Sequence, residues 1–349
     1  MARKNPKRKC SSDDYRERLR KMNYALVGET SAVQICRWTK NAIRGDRGCW
    51  KEKFYGVSSA GCCQMTPAVM WCENQCLHCW RPIEMNLGTD LPKVDDPIEI
   101  LDGIVEARQK LLNGFAGRKE IDLEKLEKAF EPTLFTMSLS GEATLYPRLG
   151  EMFKEIRRRG AVSFLVTNGL NPEVLRNLND PIRYPIEGGS NGAGELPTQI
   201  TISTNAPNER LFKIWHRSTK ENAWEKFNES LDVIRDLKNV RRVVRMTLVG
   251  VGEEGEFNEM TNSSEENLKE YVELIKKAEP DFVHVKGYKA VGYAKARMGY
   301  DNQVWFDKVK EYALKIAKSL DGYDVAAEDE RCCVVMLAKK GAKLKIEKV

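Results

Sequence analysis

A chain of 349 residues, 42% hydrophobic and 31% charged, can bury a sizeable core and is too apolar to belong with disordered proteins. Its longest apolar runs stop well short of the roughly 18 residues a membrane-spanning helix needs. The formal charge of +6 is local, because residues 1–21 carry nine Lys or Arg against three Asp or Glu and the remainder is balanced. This basic arm reads equally as a solubilising tail, so any case for nucleic acid has to come from local patches. The start, MARKNPKRKC, lacks the apolar segment of a secretory signal, and the expected address is cytoplasmic, where thiols stay reduced. Ten cysteines in that setting read as metal ligands before they read as a disulfide framework.

In chain order, residues 1–63 fit no regular alternation and read as an N-terminal subdomain. Within it Cys36, Cys49 and Cys62 recur with twelve residues between successive members. Their surroundings are cationic: Arg37, Lys40, Arg44, Arg47, Lys51 and Lys53 outnumber Asp46 and Glu52, which favours thiolates and anionic clusters. Three thiolates on a [4Fe–4S] cluster leave one iron open. Such an iron can chelate a small oxoacid, whose carboxylate or carbonyl a neighbouring lysine can engage. Three unrelated buried thiols are the competing reading. Cys63 adjoins Cys62, so the third ligand rests on spacing alone; Cys10, Cys63, Cys332 and Cys333 are read as non-ligands.

Residues 65–71 read as a first strand leading into WCENQCLHCWRP, where Cys72, Cys76 and Cys79 have the spacing C-x3-C-x2-C. Again three ligands leave an iron open, here for the amino and carboxylate groups of S-adenosylmethionine. A zinc site is the alternative, with His78 as the nearest fourth ligand, although inside C-L-H-C it reads better as a packed residue.

Beyond residue 130, apolar β-branched runs at 133–139, 161–167, 199–203, 242–249, 282–286 and 333–338 alternate with helical spacing at 146–159, 172–178, 222–238, 265–278 and 303–320. That alternation predicts an α/β fold with a parallel sheet, best fitted by a full or partial (β/α) barrel of TIM-like type. Five strand ends should then converge on one pocket: Ser140-Gly141-Glu142, Thr167-Asn168-Gly169, Thr204-Asn205, Gly250 with Gly252, and Gly287-Tyr288. The stretch 185–197, rich in Gly and Pro, reads as a mobile loop. Glu142 follows a Ser-Gly pair and resembles the glycine-glycine-glutamate element of radical S-adenosylmethionine enzymes, with Ser140 replacing the first glycine. Asn168, Ser203 and Asn205 suit the ribose and carboxylate of that cofactor, or are satisfied turn residues. Residues 282–300 hold Lys286, Lys289, Lys295 and Arg297 interleaved with Tyr288, Tyr293 and Tyr300 and no acid, a pattern suited to single-stranded RNA or to a packed surface loop. Arg157, Arg158 and Arg159 read as a possible addition or as a solvated helix face, and 253–273 is too rich in glutamate to meet RNA.

The twelve-residue spacings, the run WCENQCLHCWRP and the segment CWKEKFYG together resemble the archaeal branch of the 4-demethylwyosine synthase family, over nearly the whole chain. The resemblance implies a partial (β/α)6-type radical barrel over 64–349, with 1–63 supplying the basic arm and a second cluster. It implies two [4Fe–4S] clusters, S-adenosylmethionine, and condensation of pyruvate with N1-methylguanosine-37 in the anticodon loop of tRNA-Phe. Lys51 is then the leading residue for a Schiff base or for carboxylate binding, and Lys53 its alternate, with the two clusters facing each other across the barrel mouth. Eukaryotic members carry a flavodoxin-like domain for which this chain has no room, so an external donor of flavodoxin or ferredoxin type is expected. A monomer is expected, since one tRNA needs one broad basic face. The competing readings are a radical enzyme acting on another substrate, and a zinc-bearing RNA-binding protein without catalysis.

Overall fold

The computed structural model describes residues 12–180, 183, 195–250 and 259–347. Most of the basic arm with Cys10, most of the 185–197 loop, Gly252 and residues 253–258 of the glutamate-rich stretch lie outside them. Ten strands form one open sheet: β1 (Ala25–Val27), β2 (Ser31–Gln34), β3 (Cys62–Thr66), β4 (Leu134–Met137), β5 (Val162–Thr167), β6 (Gln199–Ser203), β7 (Arg241–Leu248), β8 (Phe282–Gly287), β9 (Tyr323–Asp329) and β10 (Val334–Lys339). From β3 to β8 each strand pairs parallel with the next in chain order. β2 and β1 extend the β3 edge antiparallel, and β10 with β9 extend the β8 edge in the same way.

Helices α1 (Ser12–Lys21), α2 (Arg37–Ile43) and α3 (Trp50–Tyr55) precede β3, and α4 (Pro97–Asn113) and α5 (Leu123–Phe130) lead from β3 to β4. The later connections hold α6 (Leu149–Arg158), α7 (Pro172–Asn179), α8 (Glu209–His216), α9 (Ala223–Asp236), α10 (Glu265–Ala278), α11 (Gly292–Met298) and α12 (Phe306–Lys318). Local chemistry sets these starts: Asp96 accepts from the amides of Ile98 and Glu99 at the head of α4, with Pro97 in the first turn, where its missing N–H costs nothing. Ser264 caps α10 in the same manner. Among the described residues no helix is long and apolar enough to cross a membrane.

The strand period of two divides the sheet into unlike faces. Cys63, Met65, Phe135, Met137, Leu165, Ile200, Ile202, Val244, Met246, Val283 and Val285 join the helices in the main core. Their neighbours point the other way. Near the amino ends of the strands this second face is apolar, with Leu134, Val162, Phe164, Val243 and Phe282 packed on Trp50, Phe54 and Tyr55 of α3. Farther along it turns polar, through Gln64, Thr136, Ser138, Thr201 and Arg245. The pleat also separates the adjacent cysteines: Cys62 faces the polar interior and Cys63 the helices.

The expected first strand at 65–71 lies earlier, at Cys62–Thr66. Pro67 has no amide to give the ladder, so pairing stops and Ala68–Trp71 turns into a small cluster with Tyr15, Leu19 and Tyr24. The expected boundary at 63/64 falls inside β3.

Candidate active site

The loop after the carboxyl end of β3 carries Cys72, Cys76 and Cys79, and backbone bonds fix it from several directions. The amide of Cys72 donates to the Gly88 carbonyl at 2.9 Å, and those of Gln75 and Leu77 donate to His216 and Trp215 at 2.8 and 2.9 Å. Arg297, on α11, reaches under the loop and donates to the carbonyls of Cys79 at 2.5 Å and Arg81 at 2.8 Å. Loop carbonyls removed from water need such donors. This changes the reading of Arg297: its guanidinium braces the cysteine loop and is not free for RNA.

Beneath the loop lies a polar network. Glu142 is 2% exposed and accepts from the Asn168 amide at 2.8 Å and from the Thr144 amide and hydroxyl at 3.1 and 2.7 Å. Asn168 donates to Glu73 at 3.0 Å, and its side-chain nitrogen lies 3.9 Å from the Cys72 sulfur. Asn171 bridges Glu73 and Thr144. Burial, and then the neighbouring Glu73 carboxylate, push Glu142 up to about 7. Two buried carboxylates side by side without a cation form a site that a ligand ammonium would relieve. Gly141 makes the approach possible: at φ +70° it passes so close to the chain that a Cβ would stand 1.7 Å from the Ala68 oxygen. Ser140 stands beside it, within reach of Tyr24.

Asn205 meets His78 at 3.1 Å, and His78 packs on Trp215 and His216 as a buried ring held neutral. Ser203 accepts from Arg245 at 3.2 Å. Asn74, His78, Asn205 and His216 all keep buried polar atoms without partners, which is the unspent capacity expected around a polar cofactor. Gly250 and Gly287, by contrast, are close-packed against residues 303–304 and take no part. Sequence reasoning missed Glu73, Asn171, Thr144 and the bracing role of Arg297. The acid inside C-E-N-Q-C was the visible signal for the first.

The second trio occupies the other end of the same strand. Cys36 begins α2, where its sulfur accepts from the Thr39 amide at 3.4 Å. Cys49 begins α3, its amide held by Ser59 at 2.7 Å, and Cys62 opens β3. All three line one cavity of about 170 Å³ with Lys51, Gln64, Thr136, Ser138, Phe164, Gln199, Thr201, Arg245 and His284. The Lys51 ammonium lies 3.3 Å from the Cys62 sulfur. Lys53 points outward and donates to the Glu328 carbonyl at 2.7 Å, so the structure separates it from this site. Cys62 opens β3 and the Cys72 loop follows its carboxyl end, so along the chain the two trios are joined by a five-residue strand, roughly 13 Å at about 3.3 Å per residue. Among the described residues no three His, Cys, Asp or Glu side chains converge closely enough to surround one metal ion. A cubane puts its thiolates on separate irons and asks for no such convergence.

Two further RNA-contact expectations are corrected. Tyr288 is 2% exposed, and its hydroxyl donates to Ala294 at 3.1 Å, so it cannot stack on a base. Lys286 lies over the Trp50 ring at 5.4 Å, deep enough for burial to lower its pKa, on the wall of the interior and not on the outer surface. Lys289, Tyr293 and Lys295 remain outside, with Lys295 over the Tyr300 ring at 4.7 Å and exposed Trp80, Val291 and Trp305 nearby in sequence or fold. Arg157, Arg158 and Arg159 pair with Glu195, Glu155 and Asp102.

Comparison with known proteins finds similar chains and a similar fold. A profile of the family described as Wyosine base formation matches residues 277–339. The chain is 37% identical to the S-adenosyl-L-methionine-dependent tRNA 4-demethylwyosine synthase of Pyrococcus horikoshii, across 93% of this chain and 88% of that one. The protein of the same name from Methanocaldococcus jannaschii is 30% identical, across 93% and 96%. A solved structure of TYW1 with a lysine-pyruvate adduct bound superposes with a TM-score of 0.78 at 26% identity, covering 96% of this chain and 97% of its own.

Proposed function

The chain belongs to the S-adenosyl-L-methionine-dependent tRNA 4-demethylwyosine synthases, and on that footing we propose that it condenses pyruvate with N1-methylguanosine-37 of tRNA-Phe to give 4-demethylwyosine, the tricyclic base of wybutosine and wyosine biosynthesis. The family implies S-adenosylmethionine and an iron–sulfur cluster. Cys72, Cys76 and Cys79 would hold the [4Fe–4S] cluster that meets S-adenosylmethionine, and Cys36, Cys49 and Cys62 a second one. When bound, the first would donate the electron that cleaves S-adenosylmethionine to methionine and the radical that takes hydrogen from the N1-methyl group, and the second would offer a binding site to the keto acid.

The protein's own groups do the rest. Glu142 accepts from the methionine ammonium, with Gly141 and Ser140 shaping the approach, while Asn168, Ser203 and Asn205 hydrogen-bond the ribose and carboxylate. Lys51 gives up its ammonium proton to solvent and adds the free amine to the carbonyl carbon of pyruvate, and water leaves to give a Schiff base. The observation that carries this reading is the Lys51 ammonium, 3.3 Å from Cys62 inside a cavity that all three second-trio cysteines line. Residues 64–349 act as a partial (β/α)6 barrel, and residues 1–63 contribute the second trio. Lys289, Tyr293 and Lys295, with Trp80 and Tyr300, form the face for the anticodon loop. The electrons come from a flavodoxin- or ferredoxin-type donor, and the enzyme works as a monomer in the cytoplasm.

Anaerobic reconstitution tests the two-cluster reading. Metal and sulfide analysis should find about eight irons per chain, the content of two cubanes. Replacing Cys49 or Cys76 with Ala should each remove about half. Four irons in the intact chain would remove the second cluster, and zinc without sulfide would sink the radical reading altogether.

A further inference from the structure

Three arginines lie on β7, and two have their donors spent. Arg242 forks onto Asp281, and Arg241 donates to the carbonyls of Lys343 and Leu344. Arg245, on the polar inner face, has one hydrogen-bond partner, the neutral Ser203 hydroxyl at 3.2 Å, and no carboxylate among the described residues pairs with it. A guanidinium carries five N–H donors and does not give up its charge, so a buried one without an anion is costly. Burial pulls Arg245 down to about 10, which still leaves it protonated at neutral pH. It lines the same cavity as Lys51, whose lining holds no Asp or Glu and offers only the thiols of Cys36, Cys49 and Cys62 as acidic groups. Around it stand Tyr55, His284 and Lys286, which supply no negative charge at neutral pH. A carboxylate from outside the chain would give this guanidinium the charged partner that no Asp or Glu of the cavity supplies.

We propose that Arg245 receives the carboxylate of the keto acid that Lys51 binds through its carbonyl. The inference rests on the Schiff-base reading and adds a second point of recognition to it. A lysine selects a carbonyl and a planar fork selects a carboxylate, so the pair fixes both ends of a keto acid and directs its methyl group away from both. The cavity, about 170 Å³, is large enough to admit a three-carbon acid. The methionine carboxylate of S-adenosylmethionine has the same chemistry, and the test keeps the two sources apart.

Full-length protein is incubated with increasing pyruvate, the imine is reduced with borohydride, and the adduct is measured by mass. Wild type, Arg245→Met and Arg245→Lys are compared, with Lys51→Ala as the blank, methyl pyruvate as a carbonyl probe without charge, and S-adenosylmethionine binding measured in parallel. Half-saturation for pyruvate should rise about tenfold or more in Arg245→Met and recover in part in Arg245→Lys. Methyl pyruvate and S-adenosylmethionine should respond as in wild type. An unchanged pyruvate curve, an equal loss for methyl pyruvate, or a loss confined to S-adenosylmethionine would each overturn the assignment. Wild type that forms no more adduct than Lys51→Ala overturns the Schiff-base reading itself, and this proposal falls with it.

Discussion

Lys51 and Lys53 share one short helix, and helical geometry sends residues two apart to different sides. One meets the Cys62 sulfur and the other the Glu328 carbonyl. Lys51→Ala should therefore abolish the borohydride-trapped pyruvate adduct, and Lys53→Ala should leave it at wild-type yield; the reverse pattern would exchange their roles. Glu142→Gln should weaken S-adenosylmethionine binding by about 10- to 100-fold, the worth of a hydrogen bond to a charged group. The pH dependence carries its own sign. Glu142 sits near 7 because burial and Glu73 oppose its charge, whereas a ligand ammonium needs it ionised. Affinity should rise as pH climbs through about 7 in wild type and stay flat in Glu142→Gln, as binding titrations at several pH values would register. Much of this was legible in the sequence, because thiols and a Ser-Gly-Glu element advertise their chemistry. The choice between Cys62 and Cys63 was not, since it depends on which face of a strand each one takes. Nor were the fates of Tyr288, Lys286 and Arg297, because a basic and aromatic composition looks the same on an RNA face as around a loop that needs bracing.

The inner strands were readable because parallel strands covered on both sides are continuous apolar runs. β4, β5, β6, β7, β8 and β10 all fall within two residues of their expected ends. β1, β2 and β9 were missed: β9 is an edge strand, exposed or half-buried through most of its length and, among the described residues, paired only with β10. α1, α4, α5 and α8 were not among the expected helices, and α2, α3 and α11 were missed because six or seven residues give too little helical periodicity to detect. The elements nonetheless hold the site rigidly at specific joints. Gly141 is one such joint, where β4 hands over to Glu142. Gly141→Ala would force a side chain against the Ala68 carbonyl at positive φ, at a cost of about 2 kcal/mol or more. Calorimetry should record a lower Tm together with weaker S-adenosylmethionine binding. A variant with unchanged Tm and unchanged binding would mean that the loop has slack this packing denies.

At the scale of the molecule, one sheet face performs two tasks. Its amino-terminal half is closed by Trp50, Phe54 and Tyr55, and the same short helix delivers Cys49 and Lys51 to the cavity. Its carboxyl-terminal half opens into the polar interior beneath the Cys72 loop. Spacing announced two cysteine trios but could not tell where they stood, because that depends on how α2, α3 and the loop after β3 pack on the sheet. Under the proposed assignment the Cys72 loop generates the radical, the Lys51 cavity captures the keto acid, and the substrate base joins them. The most direct test supplies N1-methylguanosine-bearing tRNA-Phe, pyruvate labelled with carbon-13 at the methyl and carbonyl carbons, S-adenosylmethionine and a reductant to the reconstituted enzyme, then reads the digested nucleosides by mass spectrometry. The predicted result is a tricyclic nucleoside carrying both labelled carbons, formed together with 5′-deoxyadenosine. S-adenosylmethionine cleavage that leaves N1-methylguanosine intact, or modifies it without taking up label, would contradict the account.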